Sequence, residues 1–115
     1  MSYDVYVTTT ASAPCCLCGR ADRDETIFEW SPTYNLSAMF REAFGGNGLR
    51  DFSGLKASEC VDRLRTGLAD MRARPDHYRQ FDAANGWGVY GDTLLDCIEK
   101  FLAVCECNPN AIVSM

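Results

Sequence analysis

Asp92-Thr93-Leu94-Leu95-Asp96-Cys97-Ile98-Glu99-Lys100-Phe101-Leu102-Ala103-Val104-Cys105-Glu106-Cys107-Asn108-Pro109-Asn110-Ala111-Ile112-Val113 is the stretch that decides the fold class of this chain. Leu94, Leu95, Ile98, Phe101, Leu102 and Cys105 recur at helical spacing and make one apolar face. Asp92 is placed as an N-cap, and Asn108-Pro109 ends the run, because proline cannot continue a helix. Ala111-Ile112-Val113 then reads as a short strand. Helix therefore gives way to strand, and partner strands must be sought upstream.

Immediately upstream lies a turn, Asn85-Gly86-Trp87-Gly88. Before it, Cys60, Val61, Leu64, Leu68 and Met71 form a continuous stripe that predicts a helix from Ala57 to Arg74. Glu59 with Arg63 and Asp70 with Arg74 are spaced as i,i+4 ion pairs on its outer faces. Pro75 stops this helix and can open the next turn, Asp76 to Phe81. A shorter helix, capped by Asn35, carries Met39, Phe40, Ala43 and Phe44 on its apolar face and ends at Gly45-Gly46. Gly45 to Gly54 reads as loop. The partner strands lie near the start of the chain. Tyr3, Val5 and Val7 alternate with polar residues, and a second alternating run spans Glu25 to Trp30 until Ser31-Pro32 breaks it. A loop from Thr9 to Asp24 separates them. The order β-β-α-α-α-β predicts a single α+β domain over residues 1–115. Its small three-stranded, antiparallel-rich sheet should carry the helices on one face.

Composition narrows the class. With 115 residues the chain can build one core. A formal net charge of −5 argues against nucleic acid or an anionic membrane as the main partner, since both need concentrated positive charge. No apolar run approaches a membrane span, and Met1-Ser2-Tyr3-Asp4 enters a strand pattern without an export signal. Seven cysteines is an odd count, and with enough other apolar residues for a core it points to free thiols in a cytoplasmic protein.

The loop cysteines are the first candidate site. Cys15 and Cys18 have the spacing of half a zinc knuckle, and Gly19 lets backbone NH groups turn toward the thiolates. A tetrahedral site needs two more ligands. Cys105 and Cys107 are a tempting pair, yet one helix would put Cys105 inside the apolar stripe and Cys107 opposite it. No cofactor is expected, with zinc on Cys15 and Cys18 as the alternative. A redox role would want the first cysteine at a helix N-terminus, and here it lies between strands. His77, the sole histidine, sits in a polar helix start and reads as a solvated surface residue. Asp92, Asp96 and Glu99 share a helical face that reads as solvated, and the arginines form no single stripe. Two turn-flanking segments combine aromatic and amide groups. Tyr34, Asn35, Asn85, Trp87 and Tyr90 are accordingly the expected binding residues.

Those segments also carry a family resemblance. Thr33-Tyr34-Asn35-Leu36-Ser37-Ala38-Met39-Phe40-Arg41, Gly48-Leu49-Arg50-Asp51-Phe52-Ser53-Gly54 and Asn85-Gly86-Trp87-Gly88 resemble small proteins encoded by actinobacterial phages. The resemblance runs from Thr33 to the C-terminus. It implies a phage protein acting in the host cytoplasm and assigns no catalysis. The expected function is a non-enzymatic binding module for a host protein or a small ligand, countering a host defence. The alternatives are a zinc-stabilised or thiol-dependent enzyme using Cys15 or Cys18, and a homo-oligomer working through self-association.

Overall fold

A computed structural model describes residues 4–11, 23–82 and 90–115. Strands β1 (Val5–Ala11) and β2 (Arg23–Trp30) are followed by a 3-10 turn at Tyr34–Leu36 and helix α1 (Ser37–Phe44). A second 3-10 turn at Gly48–Phe52 leads into α2 (Ala57–Ala73), the five-residue α3 (Pro75–Arg79), α4 (Asp92–Cys107) and β3 (Ile112–Ser114). The class is the expected one, α+β with a three-stranded antiparallel sheet.

β1 is the central strand, in the order β2-β1-β3, and both neighbours run antiparallel to it. Val5 faces Trp30, and Val7 faces Phe28 on one side and Val113 on the other. Val5, Val7 and Val113 are fully buried beneath the helices. Their chain neighbours Tyr6 and Ile112 point to the opposite, helix-free face and are exposed. That alternation is what a half-buried sheet requires. The outer edge of β3 is itself covered. Gly54 N donates to Val113 O at 2.7 Å, Val113 N donates to Leu55 O at 2.9 Å, and Ala57 N donates to Ala111 O at 2.7 Å.

The core closes around a ring of aromatic contacts drawn from four elements. Trp30 meets Phe40 edge-on at 6.0 Å, Phe40 stacks on Phe44 at 5.9 Å, and Phe44 packs on Phe52 at 5.6 Å. Phe52 then meets Phe101 at 6.4 Å, and Phe101 returns to Trp30 at 6.3 Å. Such edge-to-face and offset pairs add to the area they bury. Cys60, Leu64, Leu68 and Met71 of α2 are buried as the stripe predicts, with Val61 half-buried at its edge. The inward residues expected on α4 are likewise buried.

Several local expectations need correction. β1 runs on through Thr9, Thr10 and Ala11, which read as part of the loop, although β-branched threonines suit a strand. The helix after β2 begins at Ser37 with Leu36 at its cap position; Asn35 lies inside the preceding 3-10 turn, where its backbone NH meets Thr33 Oγ1 at 3.3 Å. Gly91 holds the cap position of α4, so Asp92 is its first helical residue. The glycine-rich stretch from Gly45 to Gly54 is not simple loop. Its 3-10 turn buries Leu49 and Phe52, and Gly48 (φ +70°) packs against Phe40 and Arg41 where a Cβ would lie 3.1 Å from the Arg41 backbone nitrogen.

Candidate functional site

β2 delivers Trp30 to the end of the sheet, and Pro32 immediately breaks the strand, turning the chain into the first 3-10 turn. Trp30, Pro32, Thr33 and Leu36 thus form one wall of a groove of about 260 Å³. The opposite wall is the first two turns of α4, with Thr93, Leu94 and Cys97. Helical spacing explains the second wall. Thr93 and Cys97 are one turn apart and flank the buried stripe, while Leu94 belongs to it. The groove is open and mainly apolar. Trp30 is half-buried there, with its ring braced by Phe40 and Phe101.

The expected binding residues distribute unevenly about this feature. Asn35 is exposed between Thr33 and Leu36 of the wall, and Tyr34 lies beside it in the same turn. Tyr90 is engaged in the fold. Its hydroxyl donates to Met71 O at 2.8 Å, its ring stacks on Tyr78 at 6.5 Å, and the Arg79 guanidinium lies 5.3 Å above it. Asn85 and Trp87, like Cys15 and Cys18, fall outside the described residues. Sequence reasoning missed the groove walls. Trp30 read only as a strand terminus. The one available signal was Thr93 and Cys97, a small i,i+4 pair next to leucine.

A polar cluster joins α1, α2 and α3. Asp70 accepts from Arg74 through two nitrogens, at 2.9 and 2.5 Å, and from the hydroxyl of fully buried Tyr78. Arg74, followed by the Tyr78 hydroxyl, lowers the Asp70 pKa to about 2, while burial and the Asp70 carboxylate push Tyr78 up to about 12. His77, expected to be solvated, is half-buried instead. Its ring bridges Glu42 at 3.0 Å and Gln80 at 3.1 Å and meets Tyr78 and Phe81 edge-on. Asp70 and Arg74 pair as expected, whereas the expected Glu59–Arg63 pair changes partners. Glu59 accepts from the Lys56 backbone NH at 3.1 Å, and Arg63 instead holds the C-terminal end of α1 through Phe44 O at 2.7 Å and pairs with Asp51 at 3.1 Å. Each of these networks closes a joint between elements.

Burial raises the thiols of Cys60 and Cys105 to about 11 and about 12, so both are protonated and apolar at neutral pH. Among the described residues, no group of three or more His, Cys, Asp or Glu is gathered to hold a metal, and no helix is long and apolar enough to cross a membrane. Fold and site together define an α+β protein with an apolar groove between the end of its edge strand and its last helix. No protein-family model, curated protein or solved structure matches the chain.

Proposed function

We propose that this chain is a small phage-encoded accessory protein that works by binding, with the groove beside Trp30 as its working surface. The groove carries the reading. Its volume of about 260 Å³ falls below the roughly 300–1,000 Å³ of small-molecule sites. It suits one aromatic or aliphatic side chain of a larger partner, and a braced tryptophan on its wall is the kind of rigid anchor that interfaces favour. A host protein is therefore preferred over a small ligand as occupant. The resemblance to actinobacterial phage proteins, which runs from Thr33 to the C-terminus, supports encounter in the host cytoplasm and interference with a host defence.

The test is affinity purification from host lysate with three baits: the natural chain, Thr93→Trp, which fills the groove from its exposed rim, and Asp62→Asn on the outer face of α2. A partner held by the natural chain and by Asp62→Asn but lost with folded Thr93→Trp is the expected result. Equal retention by all three would move the working surface elsewhere.

A further inference from the structure

Two features meet at one side of this molecule. The first is an open sheet edge. β1 is paired on both sides and the outer edge of β3 is covered by Gly54–Ala57, so among the described residues only the outer edge of β2 has no pairing segment. The second is the groove. α4 meets α2 along one flank, where Glu99 reaches Arg72 and Glu106 reaches Arg65, each at 3.3 Å. Thr93 and Cys97 stand on the other flank. Since the start of α2 is tied to the residues before β3 through Ala57 and Ala111, the flank with Thr93 and Cys97 looks toward the β2 side. The groove therefore opens beside the one edge left without a pairing segment among the described residues, at the end of the strand that carries Trp30.

We infer that the β2 edge and the groove form one docking site, which takes an extended basic segment of a partner as a fourth strand. Backbone groups of that segment would continue the ladder. Its inward side chain opposite Trp30 would enter the groove, the division of labour typical of strand addition. The occupant is argued from charge. By sequence the strand β2 holds three acidic residues and one arginine, and Asp92 and Asp96 flank the groove residues of α4. A second copy of this chain would set acidic β2 against acidic β2, so a Lys- or Arg-rich strand with an apolar centre fits better. This inference rests on the groove reading above and goes beyond it in naming how the partner lies and what it carries.

The probe is a labelled peptide, Lys-Val-Lys-Phe-Lys-Val-Lys, with the same peptide carrying Glu for Lys, and two versions N-methylated at alternate amides in opposite phase. Binding to the full chain is followed by fluorescence anisotropy, and backbone exchange of residues 23–30 by hydrogen–deuterium exchange. The Lys peptide should bind, the Glu peptide should bind at least tenfold more weakly, and about 0.5 M salt should weaken the complex severalfold. One N-methylated phase should lose most of the affinity, while amides of β2 gain protection. Thr93→Trp and Cys97→Trp, each checked for folding by circular dichroism, should both weaken it. If both tryptophan variants abolish binding while both N-methylated peptides bind normally, the groove is a binding site and strand addition is overturned. If the tryptophan variants bind like the natural chain, or the Glu peptide binds as well as the Lys peptide, this docking site is overturned outright. Absence of binding, or a stable dimer whose β2 amides are already protected, overturns it as well.

Discussion

Gly67 has no side chain because α1 passes where one would stand. A Cβ there would lie 2.4 Å from the Phe44 ring and 2.8 Å from the Ala43 carbonyl oxygen. Helix propensity alone favours alanine by about 1 kcal/mol. The clash with backbone should outweigh it, and Gly67→Ala should lose about 1–3 kcal/mol in urea unfolding. A stabilised variant would mean that α1 can back away from α2. Thiol chemistry gives a second expectation at this scale. In the native protein, iodoacetamide located by mass spectrometry should mark Cys97 and Cys107, which are half-buried and exposed, well before buried Cys60 and Cys105. Equal labelling of all four would contradict the burial that holds the two core thiols protonated. Stripe residues such as Leu64 and Phe101 were legible in the sequence, because burial follows periodicity. Arg63 was not. Its near neighbour Glu59 offered a pair, while Phe44 O and Asp51 came within reach only through the tertiary approach of α1 and the second 3-10 turn.

The elements repeat the lesson at larger range. The long helices were readable within a residue or two, because each buries a face with a 3.6-residue period. β1 was cut short and the 3-10 turn at Gly48–Phe52 was missed, since threonines look polar and glycines look like loop while the contacts that fix them are distant. The groove is a product of two elements far apart in sequence, and no pattern within either one announces it. What binds the elements together is concentrated in α4 and α2. Phe101 touches Phe28, Trp30 and Phe52, so Phe101→Ala should cost about 3–5 kcal/mol, and Leu64→Ala about 2–5 kcal/mol. Losses under about 1 kcal/mol for both, measured by denaturant unfolding, would mean that these faces are not core.

Stability of the whole molecule should narrow from both ends of the pH scale. Folding lowers the Asp70 pKa from 3.8 to about 2, so its contribution is complete above about pH 4 and is lost as pH falls toward 2. Asp51, lowered chiefly by the Asn47 backbone NH and then by Arg63, acts with the same sign. Tyr78 moves the other way. Folding raises it from 10.0 to about 12, so its contribution is complete below pH 10 and is lost as pH climbs through 12. Thermal melts across pH should therefore show Asp70→Asn with a shallower acid limb and Tyr78→Phe with a shallower alkaline limb than the natural chain. Unchanged limbs would remove this network from the balance. The covered outer edge of β3 has a consequence for the company the molecule keeps. A sheet with two bare margins can be extended without end, copy upon copy, into a ribbon. Here the chain folds its own residues 54–57 over one margin, and among the described residues a single margin is left. In the language of polymerisation the described sheet would act as a chain stopper: edge-to-edge joining through its one remaining margin would finish at a single junction.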